Sequence, residues 1–129
     1  MALNTAPIYV AAPFTGIQTF ENADGTAKKT IITPGANGFR LDSLHCCLDD
    51  TAAATVNFYA TVGGTDYFIG QVAVASGAGV SNAWVEALTT LNTNMSMVFG
   101  NVVTAIKASV ATAVSTGKTL TIMALGGNF

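Results

Sequence analysis

Thr55-Val56-Asn57-Phe58-Tyr59-Ala60-Thr61-Val62-Gly63-Gly64-Thr65-Asp66-Tyr67-Phe68-Ile69-Gly70-Gln71-Val72-Ala73-Val74 is the stretch from which the fold can be read. In its first eight residues Val56, Phe58, Ala60 and Val62 alternate with Thr55, Asn57, Tyr59 and Thr61. Successive side chains of a strand point to opposite faces, so this period of two describes a strand buried on one side. Gly63-Gly64-Thr65-Asp66 follows, where glycine supplies the positive φ that a tight reversal needs. In the return run Phe68, Val72 and Val74 share a parity. The expectation is a hairpin with those three side chains facing the core.

Upstream, Phe39 to Leu48 is strand-like but changes phase. Phe39 and Leu41 have one parity, while Leu44, Cys46 and Leu48 have the other. A β-bulge produces such a slip, which places one at Asp42 to Leu44. Asp49-Asp50-Thr51 turns the chain toward Thr55, so the three runs read as a meander. Ile17 to Phe20 and Lys28 to Thr33 bracket Asn22-Ala23-Asp24-Gly25, a turn signal, and Pro34 to Gly38 is a loop. Near the C-terminus, alternating runs from Thr104 to Val110 and from Lys118 to Leu125 flank Ser115-Thr116-Gly117 and read as a second hairpin. Between the hairpins Trp84, Leu88 and Leu91 have i, i+4, i+7 spacing, which predicts one short helix near residues 83–91, with an edge strand as the alternative. The fold class expected is all-β, an antiparallel β-sandwich of jelly-roll-like kind. Residues 1–16 read as an N-terminal arm and 17–129 as a single domain.

The 129 residues suffice for one core without staples. Charged residues make up only 9%, against about 25% in an average domain. With 50% hydrophobic residues, the chain is not of the disordered class, which is charge-rich. A net charge of -2 argues against a nucleic-acid surface, and Lys28-Lys29 is the only basic pair. No run approaches the ~18 apolar residues of a spanning helix, so no membrane is expected. The start lacks a basic n-region, which implies synthesis in, and no export from, a cytoplasm. The first charged residue is Glu21, and after Asp66 only Glu86, Lys107 and Lys118 carry charge. Charge is depleted where proteins contact one another because its desolvation is costly. The composition therefore reads as that of an assembly component.

No constellation of catalytic residues is visible. His45 is the sole histidine; Cys46 faces away from it, and Cys47 lies roughly 7 Å along the strand, too far for a hydrogen bond. Asp49, Asp50 and Asp66 lack calcium-loop spacing. Gly117-Lys118-Thr119 lacks the upstream glycine of a phosphate loop. The expectation is a non-enzyme with no catalytic, cofactor-binding or metal-binding residue and no cofactor. Tyr59, Tyr67 and Trp84 leave open an alternative, a carbohydrate-binding adhesive module. The uncharged arm carries Pro7, Ile8, Tyr9, Val10 and Phe14, which are expected to pack on a neighbouring subunit.

Phe39-Arg40-Leu41-Asp42-Ser43-Leu44, Asp49-Asp50-Thr51-Ala52-Ala53, Val56-Asn57-Phe58-Tyr59 and Gly64-Thr65-Asp66-Tyr67-Phe68-Ile69-Gly70, with the ending from Thr116 to Phe129, resemble small virion proteins of tailed bacteriophages. The closest likeness is to capsid decoration (cement) proteins, and it covers about two-thirds of the chain. The resemblance implies a β-sandwich on the capsid surface that binds the major capsid protein and self-associates, as a trimer around a symmetry axis. It implies synthesis in the host cytoplasm and residence in the virion. A phage tail or fibre component is the alternative within the same class.

Overall fold

The computed structural model describes residues 12–91 and 97–129. In chain order the elements are β1 (Ala12–Glu21), a 3-10 turn (Asn22–Asp24), β2 (Lys29–Ile32), β3 (Phe39–Leu48), β4 (Ala54–Val62) and β5 (Thr65–Val74). They continue with β6 (Val85–Glu86), α1 (Ala87–Leu91), β7 (Met97–Phe99), β8 (Val103–Val110) and β9 (Thr119–Asn128). One sheet runs β1-β9-β3, with β6 and β7 pairing different segments of β3's far edge; the other runs β2-β8-β4-β5. The strands pair antiparallel. The protein is an all-β sandwich with one short helix, as expected.

The core lies between the sheets. Phe20, Leu41, Leu44, Cys46, Leu48, Leu120 and Ile122 come from one sheet, and Val56, Phe58, Val72, Val74, Ile106 and Val110 from the other. Burying a side chain of this size contributes about 1.5–3 kcal/mol, so these alternate positions drive the two faces together. Burial pushes the Cys46 thiol up to about 12, which makes it a small core residue without thiolate chemistry.

Several expectations are met in detail. Gly63 and Gly64 turn β4 into β5 with φ of 59° and 79°, values suited to a two-residue hairpin turn. The register of β3 against β9 slips between Leu41 and Ser43, which makes Asp42 the bulged residue. Others are corrected. A second bulge in the β4–β5 pair pairs Phe58 with Gly70 but Tyr59 with Phe68, skipping Ile69. The parity of β5 therefore reverses, and Phe68 points outward, 61% exposed, while Ile69 packs against the core. β8 and β9 are not a hairpin, and β3 and β4 are not neighbours in a meander: each pair is divided between the two sheets. The helix is shorter than 83–91 and excludes Trp84. Residues 12–16, assigned to the arm on the sequence, form the first half of β1 and pair with Asn128 to Ala124.

Both unexpected crossings are held by the twin aspartates. Asp50, only 4% exposed, accepts hydrogen bonds from the amides of Ser115 (2.9 Å) and Ala52 (3.1 Å). Its carbonyl accepts from Gly77 at 3.0 Å. Asp49 accepts from the amide of Thr119 at 2.7 Å. Loops 49–53, 75–79 and 111–118 thus meet on one pair of residues.

The Ser115 hydroxyl, then the amides of Ala52 and Ser115, hold the Asp50 carboxyl at about 2, against an ordinary 3.8. A carboxyl with a depressed pKa stabilises the fold above its unfolded pKa and loses that contribution as pH falls through the folded one. Thermal melts should therefore show a drop in Tm between about pH 4 and pH 2. Asp50→Asn should lower Tm at pH 7 and flatten that acid slope, whereas Asp42→Asn, at an exposed position, should do neither.

Candidate functional site

Opposed strand residues share a face, so the registers define what each outer surface carries. On the five-stranded sheet Ile17 of β1 opposes Met123 of β9, Met123 opposes His45 of β3, and His45 opposes Glu86 of β6. Thr15, Leu125 and Ser43 form the row on one side, and Thr19, Thr121 and Cys47 the row on the other. Trp84 lies over His45, with ring centroids 4.1 Å apart and planes 26° from parallel. Ile17 and Trp84 are 57% and 56% exposed. The result is an apolar band across the sheet, from Ile17 through Met123 to Trp84.

Polar groups on this face are internally satisfied. Glu86 Oε1 accepts from the amides of Leu44 (2.8 Å) and Leu88 (3.2 Å), so it caps α1 and ties it to β3. Its Oε2 accepts from the Ser43 hydroxyl at 2.8 Å and lies 2.9 Å from His45 Nε2. Ser43 Oγ is also 2.6 Å from that same Nε2. Serine, histidine and a carboxylate therefore meet, but serine and carboxylate share one ring nitrogen. In a nucleophilic triad the carboxylate orients the base through its other nitrogen, leaving the first free for the hydroxyl. The cluster has the connectivity of a structural clasp. Arg40 and Asp42 pair with each other at 2.8 Å at the end of the face.

The outer face of the four-stranded sheet is different. Asp66 accepts from Thr61 at 2.6 Å and pairs with Lys28 and Lys107 at 3.2 Å each. The Thr61 hydroxyl, then the two lysines, hold the Asp66 carboxyl at about 2. Lys28 Nζ sits 4.3 Å from the Tyr59 ring centroid, and Phe68 meets Tyr59 edge-on at 5.9 Å. Each outer face thus carries three charged residues held by neighbours, with two lysines flanking one aspartate here and Arg40, Asp42 and Glu86 on the five-stranded sheet.

Pro7, Ile8, Tyr9 and Val10 lie outside the described residues. Phe14 is on β1 with the inward parity, half-buried and packed against the core. Tyr59 and Trp84 are on opposite sheets, and Tyr67 pairs with Ala60 on the inward parity of β5. The three therefore do not gather on one face. Among the described residues no three His, Cys, Asp or Glu side chains converge on a metal-sized site. Sequence reasoning missed Glu86, because its link to Ser43 and His45 depends on β6 pairing with β3 across about forty residues. An isolated Glu just before a helical pattern was the one available signal.

No protein-family model matches the chain, and no curated protein matches it in sequence. Solved structures similar in three dimensions include the following. A chain of the cyanophage Pam1 capsid asymmetric unit is 14% identical with a TM-score of 0.45, over 99% of this chain and 94% of that one. The nucleoplasmin-like N-terminal domain of Drosophila FKBP39 is 9% identical with a TM-score of 0.43, over 95% and 96%. A chain of infectious bursal disease virus, Gt strain, is 13% identical with a TM-score of 0.30, and this chain spans 42% of its length.

Glu86→Ala should leave the amides of Leu44 and Leu88 without their acceptor. A loss of about 2 kcal/mol in urea unfolding is expected. Because Trp84 stacks on the histidine that Glu86 holds, its emission spectrum should shift in the folded variant, whereas Thr112→Ala, at an exposed loop position, should leave both readouts unchanged.

Proposed function

We propose that this protein is a non-enzymatic structural component of a virion, which binds the assembled capsid and stabilises it as a decoration protein. The observation that carries the reading is the outer face of the five-stranded sheet, an apolar band whose charged groups are engaged within the fold. β1 and β9 present Ile17, Met123 and Leu125 with threonines between them, Trp84 lies over β3, and Arg40, Asp42 and Glu86 are paired or serve as hydrogen-bond acceptors. Such a surface loses little on dehydration and has no free charge to keep it apart from a neighbour. The phage-virion resemblance of the strand-and-turn segments supports the same role.

A decoration protein needs only binding energy. Contacts to more than one capsid subunit add through effective concentration, so shallow, neutral contacts suffice. The partner is the major capsid protein, and the location is the capsid surface after synthesis in the host cytoplasm. The N-terminal segment with Pro7, Ile8, Tyr9 and Val10, which precedes β1 in the chain, supplies a second contact to the shell.

Purified protein should co-sediment with assembled shells and not with free coat subunits, at many copies per particle. Deleting residues 1–11, which stops short of β1, should weaken shell binding at least tenfold and leave Tm unchanged. Equal binding to free coat subunits, or density confined to the tail in images of whole particles, would overturn the assignment.

A further inference from the structure

We infer that the outer face of the four-stranded sheet is a glycan-binding surface, on which Lys28 and Lys107 hold the carboxylate of an acidic sugar while Phe68 takes its apolar side. This goes beyond the shell contact proposed above. The two sheets lie back to back, so a molecule seated on a shell by the five-stranded sheet leaves this face open.

The first argument is charge. Asp66 Oδ1 takes Thr61 and Lys107, and Oδ2 takes Lys28. Both oxygens are engaged, and two lysines less one aspartate leave one positive charge over. On the opposite face Arg40 stands against Asp42 and Glu86, which leaves one negative charge, and the whole chain is at -2. A local positive excess on an acidic protein favours an anion as its ligand. Each ammonium has three N–H donors, so Lys28 and Lys107 can both donate to a second carboxylate beside Asp66. Lys28 is also held 4.3 Å from the centroid of the Tyr59 ring, so it is positioned before a ligand arrives.

The second argument is what surrounds the lysines. Tyr59 opposes Lys107 on one side and Phe68 on the other, which puts a cation and an open ring in one row. Phe68 is 61% exposed and meets Tyr59 edge-on, so its place is set while much of its surface is free. The negative face of an aromatic ring attracts the C–H side of a sugar. The next row along the sheet is Ser109, Asn57 and Gln71. Gln71 Nε2 donates to Asn57 Oδ1 at 3.0 Å, and Asn57 Nδ2 and Gln71 Oε1 have no partner among the described residues. A donor and an acceptor side by side match hydroxyl groups, which act as both. From Lys107 to Phe68 is two strand spacings, ~10 Å, and the rows are ~7 Å apart, the scale of a sugar ring with its substituents. The carboxylates of an acidic peptide would answer the lysines but offer the ring and the amide pair nothing.

Titration calorimetry of the full chain with a short oligogalacturonate tests the proposal. Binding with a Kd of ~0.5 mM is expected at low salt, weakening at least fivefold at ~0.5 M salt. The methyl ester of the same oligomer keeps the rings and hydroxyls without the charge, and should bind at least tenfold more weakly. Phe68→Ser and Lys28→Gln, both at exposed positions, should each weaken binding about fivefold in a folded protein. Lys118→Gln removes the same charge elsewhere and should not. No binding, equal binding of the ester, or an equal loss in Lys118→Gln would overturn the inference. Oligoglutamate binding as tightly as the oligogalacturonate would make the face an acidic-peptide contact and overturn it as well. Shell binding is measured separately: sugar binding without shell binding sinks the decoration role alone, and shell binding without sugar binding sinks this inference alone.

Discussion

The carboxylate of Asp50 sits where three loops meet, and the sandwich depends on what it holds there. Apolar alternation makes two sheets stick, but it does not say where the chain crosses from one to the other. Both unexpected crossings, β3 to β4 and β8 to β9, pass through the hydrogen bonds of Asp49 and Asp50. A buried amide without an acceptor is costly, so these two side chains choose among connections that the hydrophobic core would otherwise tolerate.

The same use of carboxylates recurs around the molecule. Asp24 accepts from the amide of Glu21 and from Lys29, Asp66 joins Thr61 to two lysines, and Glu86 caps α1 and joins it to β3. Few charged residues exist in this chain, and most of them are engaged within the fold. Their field is consequently short-ranged, and threonine, alanine and isolated large apolar side chains make up much of the remaining surface. The outer faces differ in what they hold: two lysines flank Asp66 on one, and Arg40, Asp42 and Glu86 lie beside the apolar band on the other.

Some of this was legible in the residues themselves. The β4–β5 hairpin and its Gly63-Gly64 turn, the bulge at Asp42 and the single core are direct consequences of period-two patterning and glycine placement. The outward turn of Phe68 was not legible, because a bulge leaves no mark in a run such as Phe68-Ile69-Gly70, where either large residue could face the core. The Ser43–His45–Glu86 cluster was equally hidden, since β6 is only two residues long and its pairing has no periodic signal.

The chain alone determined that the protein is all-β, that its strands are half-buried, and that its exterior is poor in charge. These properties are local or additive, set by side-chain alternation and by composition. Which sheet each strand joins, how the charged side chains divide between the outer faces, and which carboxylate serves which loop were decided only by the tertiary structure. Pairing joins residues dozens of positions apart, and alternation is the same whichever neighbour a strand takes.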